Sequence, residues 1–197
     1  MEWTFGLITG GNQENFISKI IDSIDNLNIN KNKYEIIIIG NCNINRNNTK
    51  VINFNENIKP MWITRKKNMI TDLAKFNNIV YLHDYIIFDE KWYQEFEKFG
   101  DDWDVCMNSI KNLDETRFRD WVLWTPKFLD YNDHSQIKNM YVSGSYFCAK
   151  KKFMQDHKFN EALSWGQGED VEWSLSIRSF WNYKCNPNSI VKCLKLK

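Results

Sequence analysis

The sequence predicts an α/β fold in which a mostly parallel central sheet is flanked by helices. Up to about residue 100, short apolar runs alternate with longer segments whose apolar residues recur at helical spacing. Residues 35–39, E-I-I-I-I, are apolar without alternation, which is typical of a strand buried on both faces of a parallel sheet. Because strands and helices that alternate along a chain form βαβ units, we expect the first half to be layered in this way.

The first predicted strand is closed by Gly10 and Gly11, and the last strand of the first half runs into the sequence H-D-Y at 83–85. Asp89 is expected to cap the helix that follows. The predicted strands are residues 5–9, 35–39, 52–54 and 79–82, and the predicted helices are residues 15–27, 64–76 and 89–99.

Beyond residue 100 the regular alternation of predicted strands and helices stops. We expect this part of the chain to be an α+β half that packs against the sheet. Residues 111–139 are irregular and rich in aromatic side chains. No linker or internal repeat divides the chain, and 197 residues is the size of one ordinary domain, so residues 1–197 are predicted to be a single domain. The predicted strands of this half are residues 103–110, 140–149 and 188–196, and the predicted helices are residues 151–155 and 168–181.

The composition argues against two classes of partner. Charged residues make up 26% of the chain, the net charge is +1 and the basic residues are scattered, so the surface field that holds nucleic acid is missing. No run approaches the ~20 apolar residues of a membrane span, and residues 1–25 lack the basic start and apolar block of a signal peptide. We therefore expect neither a nucleic acid partner nor a membrane span.

The 5 cysteines are widely spaced and include no C-x-x-C pair, which argues against a disulfide framework and against a zinc knuckle. Reduced thiols predict a cytoplasmic location, which is the host cytoplasm if the source is a virus. The sequence does not indicate an oligomeric state.

A carboxylate follows the predicted strand at 79–82. Because open α/β folds bind ligands at the carboxyl edge of the sheet, Asp84 is placed to reach a divalent metal that bridges two phosphates. An Asp that only caps the next turn produces the same local pattern. This segment alone leaves both interpretations open.

Glu169, Asp170 and Glu172 follow a glycine-rich loop and are predicted to lie in the first turn of a helix. The helix dipole stabilises ionised carboxylates there, and an ionised Asp within reach of a hydroxyl group can act as a general base. Simple N-capping by Glu169 or Asp170 has the same spacing, so this segment does not decide the function either.

Taken in order along the chain, these features resemble the family 2-like glycosyltransferases of the GT-A fold. The first strand is followed by T-G-G, the second strand ends in G-N at 40–41, and the helix at 64–76 begins T-R-K-K-N. The strand end H-D-Y at 83–85 and the segment W-G-Q-G-E-D at 165–170 complete the order. The resemblance covers nearly the whole chain.

The resemblance implies a nucleotide-sugar-binding half at residues 1–100 and an acceptor-binding half at residues 101–197. The turn after the first strand then binds the nucleobase, and basic residues at the start of the helix at 64–76 face the base and the diphosphate. The glycine-containing segment at 142–145 closes the donor sugar pocket, although a bulge within a strand fits it equally. The implied donor-binding residues are Thr9, Gly10, Gly11, Asn41, Arg65, Lys67, His83, Asp84, Tyr85, Ser143 and Gly144.

By the same resemblance, residues 83–85 stand where the family has its D-x-D motif, but only the middle acid, Asp84, is present. Asp84 and His83 are then the implied ligands of Mn²⁺ or Mg²⁺. Related enzymes place a His near the last strand, where this chain has Lys192 and Cys193. In a metal-free alternative, Lys or Arg neutralises the leaving diphosphate.

The segment W-G-Q-G-E-D resembles the W-G-x-G-E-D segment of the β-galactosyltransferase-like branch. That similarity implies that Asp170 is the general base and that Glu169 bonds a sugar hydroxyl. Trp165, with Gly166 beside it, offers the acceptor sugar an apolar face. Asp170 and Glu169 are thus the implied catalytic residues.

The irregular segment T-R-F-R-D-W at 116–121 combines two guanidinium groups with an acid. Arg119 is predicted to clamp a phosphate or carboxylate on the acceptor side, and a structural Arg-Asp pair fits the same segment. Trp121 and Trp124 are predicted to lie in the core.

Together these assignments predict a hexosyltransferase that moves a sugar from a nucleotide-sugar, by family habit a UDP-sugar, to a hydroxyl of a glycan or other acceptor. The hydroxyl attacks the anomeric carbon while Asp170 takes its proton, which inverts the configuration, whereas a different arrangement of acids would retain it. The alternative is a non-catalytic carbohydrate- or nucleotide-sugar-binding protein on a decayed GT-A fold. A nucleotidyltransferase and a Rossmann dehydrogenase fit less well, because the T-G-G turn lacks a basic residue and a spaced third glycine.

Overall fold

The computed structural model describes residues 1–11, 13–125 and 127–195 and has the layered α/β architecture expected from the sequence. Its strands are β1 (Trp3–Ile8), β2 (Tyr34–Ile39), β3 (Thr49–Ile52), β4 (Asn78–His83), β5 (Ile86–Phe88), β6 (Val105–Lys111), β7 (Val122–Leu123), β8 (Met140–Tyr141), β9 (Tyr146–Lys150) and β10 (Tyr183–Cys193). Its helices are α1 (Glu14–Asp25), α2 (Ile63–Leu73), α3 (Trp92–Phe99), α4 (Lys151–Asp156) and α5 (Glu169–Ile177), with 3₁₀ turns at Lys31–Lys33 and Ile137–Asn139.

The central sheet has the strand order β3-β2-β1-β4-β9-β6-β10-β5, and β7 and β8 form a separate pair. Strands β3, β2, β1 and β4 are parallel, β9 runs antiparallel between β4 and β6, and β10 is parallel to β6. Ile8 at the end of β1 lies opposite both Ile39 of β2 and His83 of β4. The carboxyl ends of these strands therefore lie side by side at one edge of the sheet.

Helices cover both faces of β1, whose residues are all buried. Trp3 contacts Trp92 and Phe96 of α3 with ring centroids 4.9 Å apart in each case. Because side chains alternate along a strand, Gly6 faces the other side, where a Cβ atom would lie only 2.3 Å from Ile70 Cγ2 of α2. The glycine thus allows α2 to pack closely on the sheet, and one hydrophobic cluster joins both halves of the chain.

Residues 140–149, predicted to form one strand, contain two strands that belong to different sheets. Met140–Tyr141 pairs with β7, whereas Tyr146–Lys150 pairs with β4 and β6. The intervening residues 142–145 form a turn, in which the Tyr146 N–H donates to the Ser143 carbonyl at 3.1 Å. The turn, which is not a bulge within a strand, brings Gly144 to the carboxyl edge.

Other boundaries also differ from the prediction. The last strand begins at residue 183, before the expected 188, and a register shift between Asn186 and Ile190 accommodates Pro187, which has no N–H to donate. Its expected end at residue 196 lies outside the described residues. Helix α3 begins at Trp92, and the carboxylate of Asp89 accepts from the Lys91 N–H in the turn before it. Strand β3 ends where residues 52–54 were expected to begin one, α5 ends at 177 and not 181, and β5 was not predicted.

No helix within the described residues is long and apolar enough to span a bilayer.

Candidate active site

Three adjoining cavities lie along the carboxyl edge of the sheet. Gly10 lines both the outer and the central cavity, and Trp165 lines both the central and the inner one. Their volumes are about 730, 480 and 100 Å³ in that order. Among the lining residues are, for the outer cavity, Gly10, Gly11, Phe16 and Asn41; for the central cavity, Thr9, Glu56, Lys66, His83, Asp84, Tyr85 and Lys195; and for the inner cavity, Arg119, Tyr141, Ser143, Gly144, Glu169 and Asp170.

A short chain of hydrogen bonds ties the turn after β1 to the end of β4. The Thr9 hydroxyl donates to Asp84 Oδ2 at 2.6 Å and accepts from the Gly11 N–H at 3.1 Å. Gly11 has φ +93°, a conformation that favours glycine. Asp84 therefore holds the turn to which the resemblance assigns nucleobase binding.

The outer cavity brings together Gly10, Gly11 and Asn41, as predicted. A Cβ atom on Gly10 would meet nothing within 4 Å, so the backbone there is open to a ligand. The Asn41 side-chain oxygen accepts from the Phe54 N–H at 3.2 Å, which fixes its orientation. Backbone and amide groups around an open slot can bond the edge of a flat heterocycle.

The basic residues at the start of α2 point in three directions. Arg65 is exposed and pairs with Glu161 at 3.1 Å, so the predicted donor-binding role of Arg65 is not matched by its position: it lines none of the three cavities. Lys66 lines the central cavity, where its ammonium donates to the Thr9 carbonyl at 2.7 Å and pairs with Glu56. Since successive residues of a helix are about 100° apart around its axis, neighbouring side chains cannot share one direction.

Lys67 is buried, and its charge interacts with those of Glu169 and Asp170 at the start of α5. Its ammonium donates to the Gly144 carbonyl at 2.7 Å and lies 5.0 Å from the centre of the Phe159 ring. Burial lowers the pKa of Lys67, while the charges of Glu169 and Asp170 raise it. The Lys67 side chain thus supports the turn at Gly144, and its charge interacts with the carboxylates of Glu169 and Asp170.

His83 and Tyr85 form the wall between the central and inner cavities. His83 Nδ1 lies 3.3 Å from the Tyr85 hydroxyl, and the buried Nε2 has no hydrogen-bond partner among the described residues. Burial lowers the pKa of His83 well below its usual range, and the positive charges of Lys67, Lys195 and Lys66 lower it further. The imidazole is therefore neutral at physiological pH.

His83 and Asp84, the implied metal ligands, do not by themselves suit a divalent cation. The positive charges that disfavour a proton on His83 also disfavour a divalent cation there, and one Asp84 oxygen is already bonded to Thr9. Within residues 1–11, 13–125 and 127–195, no group of three or more His, Cys, Asp or Glu side chains could hold a metal ion. The residues present do not fit Mn²⁺ or Mg²⁺ held by this pair, and the cofactor expected from the resemblance stays a prediction.

The acid pair begins α5 at the inner cavity. Asp170 Oδ2 accepts from the Gly144 N–H at 3.0 Å, and its Oδ1 accepts from the Val171 N–H at 3.0 Å. Glu169 is buried, and burial raises its pKa although the charge of Lys67 lowers it. Neither acid is the N-cap residue, which is Gly168 in a left-handed conformation. The Asp170 side chain nevertheless bonds a first-turn N–H of the helix, that of Val171.

The two guanidinium groups of the irregular segment separate into different roles. Arg117 makes the structural pair with the buried Asp120, with Nη2 2.6 Å from Oδ1. Arg119 is exposed and lines the inner cavity together with Asp170. It is thus free of the Arg-Asp pair that was the competing interpretation.

The three tryptophans considered in the sequence analysis also differ from one another in their exposure. Trp165 is 54% exposed at the junction of the central and inner cavities, where the acceptor side was predicted. Gly166 follows it with φ +81° but lines none of the three cavities. Trp121 lies in the core as predicted, whereas Trp124, also predicted to be core, is 58% exposed.

No protein-family model matches the chain, and no curated protein matches it in sequence. Solved structures match it in fold. S. aureus TarS 1-349 in complex with UDP-GlcNAc superposes with a TM-score of 0.74 at 13% identity, covering 100% of this chain and 59% of that one. S. aureus TarS gives a TM-score of 0.73 at 14% identity, covering 99% and 37%. TarS 1-349 in complex with UDP gives 0.67 at 14% identity, covering 100% and 59%.

The fold is GT-A-like. The chain spans less than two thirds of each of these TarS chains, at 59% and 37% of their lengths. The predicted fold class is confirmed.

On this GT-A-like scaffold, two of the cavity residues that were not predicted are cations, Lys66 and Lys195. Lys66 stands between the two basic residues that were chosen, so only the rotation of α2 could distinguish it. Lys195 follows β10, close to Lys192 and Cys193, where a functional group was expected. Leu194 N–H donates to the Tyr85 carbonyl at 2.8 Å, which brings Lys195 over the Tyr85 ring.

Replacing Gly144 with alanine is expected to displace the Asp170 carboxylate. The added Cβ would lie 2.8 Å from Asp170 Oδ2, closer than packed atoms come. For the transferase function proposed below, in which Asp170 is the reacting base, a misplacement of about 1 Å can cost ~10²-fold in rate. We therefore expect kcat to fall by about that factor with nucleotide affinity nearly unchanged. Steady-state kinetics and nucleotide titration measure the two effects separately. Gly100→Ala, strained at φ +88° and outside the cavities, is the control for lost stability, and a wild-type kcat in Gly144→Ala would contradict the expectation.

Proposed function

We propose that this chain is a nucleotide-sugar-dependent glycosyltransferase, family 2-like, that transfers a hexosyl group to an acceptor hydroxyl with inversion. The observation that carries the proposal is the placement of Asp170. Its carboxylate is held by the Gly144 N–H at the inner end of cavities that begin at the Thr9–Gly11 turn of a GT-A-like fold. An oriented base at one end and a nucleotide-sized slot at the other suit transfer from a nucleotide-sugar.

In the proposed reaction the acceptor oxygen uses a lone pair to form a bond to the anomeric carbon. The bond between that carbon and the diphosphate oxygen breaks, its electron pair stays with the diphosphate, and Asp170 takes the hydroxyl proton. Attack opposite the leaving group inverts the configuration. Asp170 lines the inner cavity beside Arg119 and Trp165, which is where the acceptor would lie.

The donor side of the proposal follows the outer and central cavities. The nucleobase lies against Gly10, Gly11 and Asn41, where the backbone is open. The diphosphate lies in the central cavity beside Asp84, and the sugar passes Tyr85 toward the inner cavity. The TarS complexes with UDP-GlcNAc and UDP support a UDP-sugar as the donor.

The remaining groups position these reactants. Glu169 is proposed to bond a sugar hydroxyl, as the W-G-x-G-E-D resemblance implies, from its buried place beside Asp170. Ser143 and Gly144 close the sugar pocket, with Gly144 also holding Asp170. Lys67 supports that turn through the Gly144 carbonyl and is a positioning residue, not a diphosphate ligand.

On the acceptor side, Trp165 offers an exposed ring face where a sugar would stack, since apolar ring faces suit the C–H face of a pyranose. Arg119 is the cation available to an acidic group on the acceptor. A glycan or another hydroxyl-bearing acceptor fits these groups. The non-catalytic alternative, a protein that binds the nucleotide-sugar or glycan without turnover, is motivated by the loss of two D-x-D acids at His83 and Tyr85.

The proposal is tested by release of nucleoside diphosphate from a panel of UDP-, GDP- and dTDP-sugars, with glycan acceptors and with or without Mn²⁺. Wild type is compared with Asp84→Ala, Asp170→Asn and Glu172→Gln, the last being an exposed acid on the same helical turn as Asp170. We expect turnover of one donor that is lost in the first two variants and kept in the third. Binding without turnover of any donor would support the non-catalytic alternative.

A further inference from the structure

The central cavity presents cations where the resemblance implies a metal. Lys66 enters it from α2, and Lys195 enters it from the segment after β10. The Lys195 ammonium lies 3.9 Å from the centre of the Tyr85 ring. Among the described residues Lys195 makes no ion pair with an acid, so its charge is available to a ligand.

The acids of the same cavity are already engaged. Glu56 forms an ion pair with Lys66, and Asp84 accepts a hydrogen bond from the Thr9 hydroxyl. An ammonium has three N–H donors, and the Thr9 carbonyl and Glu56 account for two of those of Lys66. The third N–H of Lys66 has no oxygen partner among the described residues, and the ammonium lies 4.9 Å from the centre of the Phe54 ring.

His83 adds to these cations a polar atom that lacks a partner in the described part of the chain. The Nε2 atom of His83 is buried and has no partner among the described residues, and His83 lines the cavity. A buried polar atom without a partner costs free energy that a bound ligand can recover. Lys195, Lys66 and His83 thus form a set suited to a polyvalent anion and not to a cation.

We propose that the ammonium groups of Lys195 and Lys66 hold the donor diphosphate and stabilise its departure without a divalent metal. The proposal rests on the proposed glycosyltransferase function. As the bond between the anomeric carbon and the diphosphate oxygen breaks, the electron pair moves onto that oxygen, and the two ammonium groups stabilise the added charge. The acceptor proton still goes to Asp170, so no further reactant is needed.

Asp84 then acts as a positioning residue. Its carboxylate holds the Thr9 hydroxyl, and through it the Gly11 N–H, at the turn beside the diphosphate. An asparagine can accept the same Thr9 hydrogen bond without the negative charge. Asp84→Asn therefore separates a positioning role from metal ligation.

The first test is calorimetric titration of the wild-type protein with UDP, once in EDTA and once in Mn²⁺. The same titration is then made with the Lys195→Ala variant. We expect the same affinity with and without metal, and a loss of about tenfold or more in Lys195→Ala, as for a hydrogen bond to a charged group. Lys192→Ala is the matched control, since Lys192 lies on the same chain segment but pairs with Glu115 at 2.7 Å. Its UDP affinity should equal that of wild type.

The second test is UDP binding by Asp84→Asn in EDTA. The proposal predicts an affinity equal to or above that of wild type, because a negative charge beside the diphosphate is removed while the Thr9 bond is kept. A metal site would lose its carboxylate ligand and bind UDP more weakly in Mn²⁺.

The outcomes distinguish the two proposals. UDP binding that needs Mn²⁺, or that is unchanged in Lys195→Ala, overturns the proposal that Lys195 and Lys66 hold the diphosphate. It leaves the proposed glycosyltransferase function standing. No binding of UDP, GDP or dTDP with or without metal overturns both.

Discussion

Replacing Asp170 with asparagine is expected to lower the transfer rate by about 10²–10⁴-fold, the usual contribution of a general base, with donor binding nearly unchanged. The side chain is held by two backbone N–H groups, from Gly144 and Val171, each at 3.0 Å. An asparagine oxygen can keep one of these bonds but cannot take the acceptor proton. The loss should therefore appear in kcat and not in the affinity for UDP.

The measurement is acceptor-dependent sugar transfer at saturating donor, together with UDP titration of the same preparation. Glu172→Gln is the control, because it removes an exposed acid from the same turn of α5 and leaves the inner cavity intact. If the turnover rate of Asp170→Asn lies within about tenfold of the wild-type rate, the loss is smaller than a general base contributes. The base would then be a different residue.

Replacing Gly40 with alanine is expected to destabilise the fold by about 3 kcal/mol, from a strained backbone and a close contact. Gly40 has φ +144°, and an added Cβ would lie 2.2 Å from the Thr9 carbonyl oxygen. That carbonyl cannot simply move aside, because the Lys66 ammonium donates to it and Thr9 N–H pairs with Ile39. The turn that lines the outer and central cavities is therefore distorted as well.

Urea unfolding measures this effect as a lower midpoint with an unchanged slope. Gly10→Ala is the matched control in the adjoining turn, since its Cβ would meet nothing within 4 Å and its backbone is not strained. We expect Gly10→Ala to keep the stability of wild type. Equal midpoints for the two variants would show that β1 and β2 can separate at this edge without cost.

The acids at the carboxyl edge illustrate what could be predicted from the sequence. Asp84 follows a strand of six buried residues, and Asp170 is the second residue of the helix that begins after Gly168. Parallel strands place their carboxyl ends at one edge whatever the details of packing, so Asp84 was expected at that edge. Asp170 was expected near the same site only through the resemblance to GT-A glycosyltransferases. The structure brings both to adjoining cavities, and their proposed roles stay predictions.

The single strand expected at 140–149 shows where local pattern was insufficient. Apolar residues on both sides of S-G-S at 143–145 suit a strand, and a bulge fits that interruption as well as a turn does. Only the pairing partners distinguish Met140–Tyr141 from Tyr146–Lys150. Pairing is a long-range property, so a one-dimensional pattern could not locate the turn between them. That turn supplies the Gly144 N–H that orients Asp170.

The sequence by itself determined the α/β layering, the order of the main elements and the position of the acids relative to strand and helix ends, because these follow from periodicity and chain direction. Only the tertiary structure decided which cation faces the central cavity. Residues 65–67 are all basic, and the rotation of α2, set by the contact of Ile70 with Gly6, turns Lys66 inward and Arg65 outward. Lys195 reaches the same cavity because the segment after β10 pairs with Tyr85, a contact between residues that are far apart in the chain.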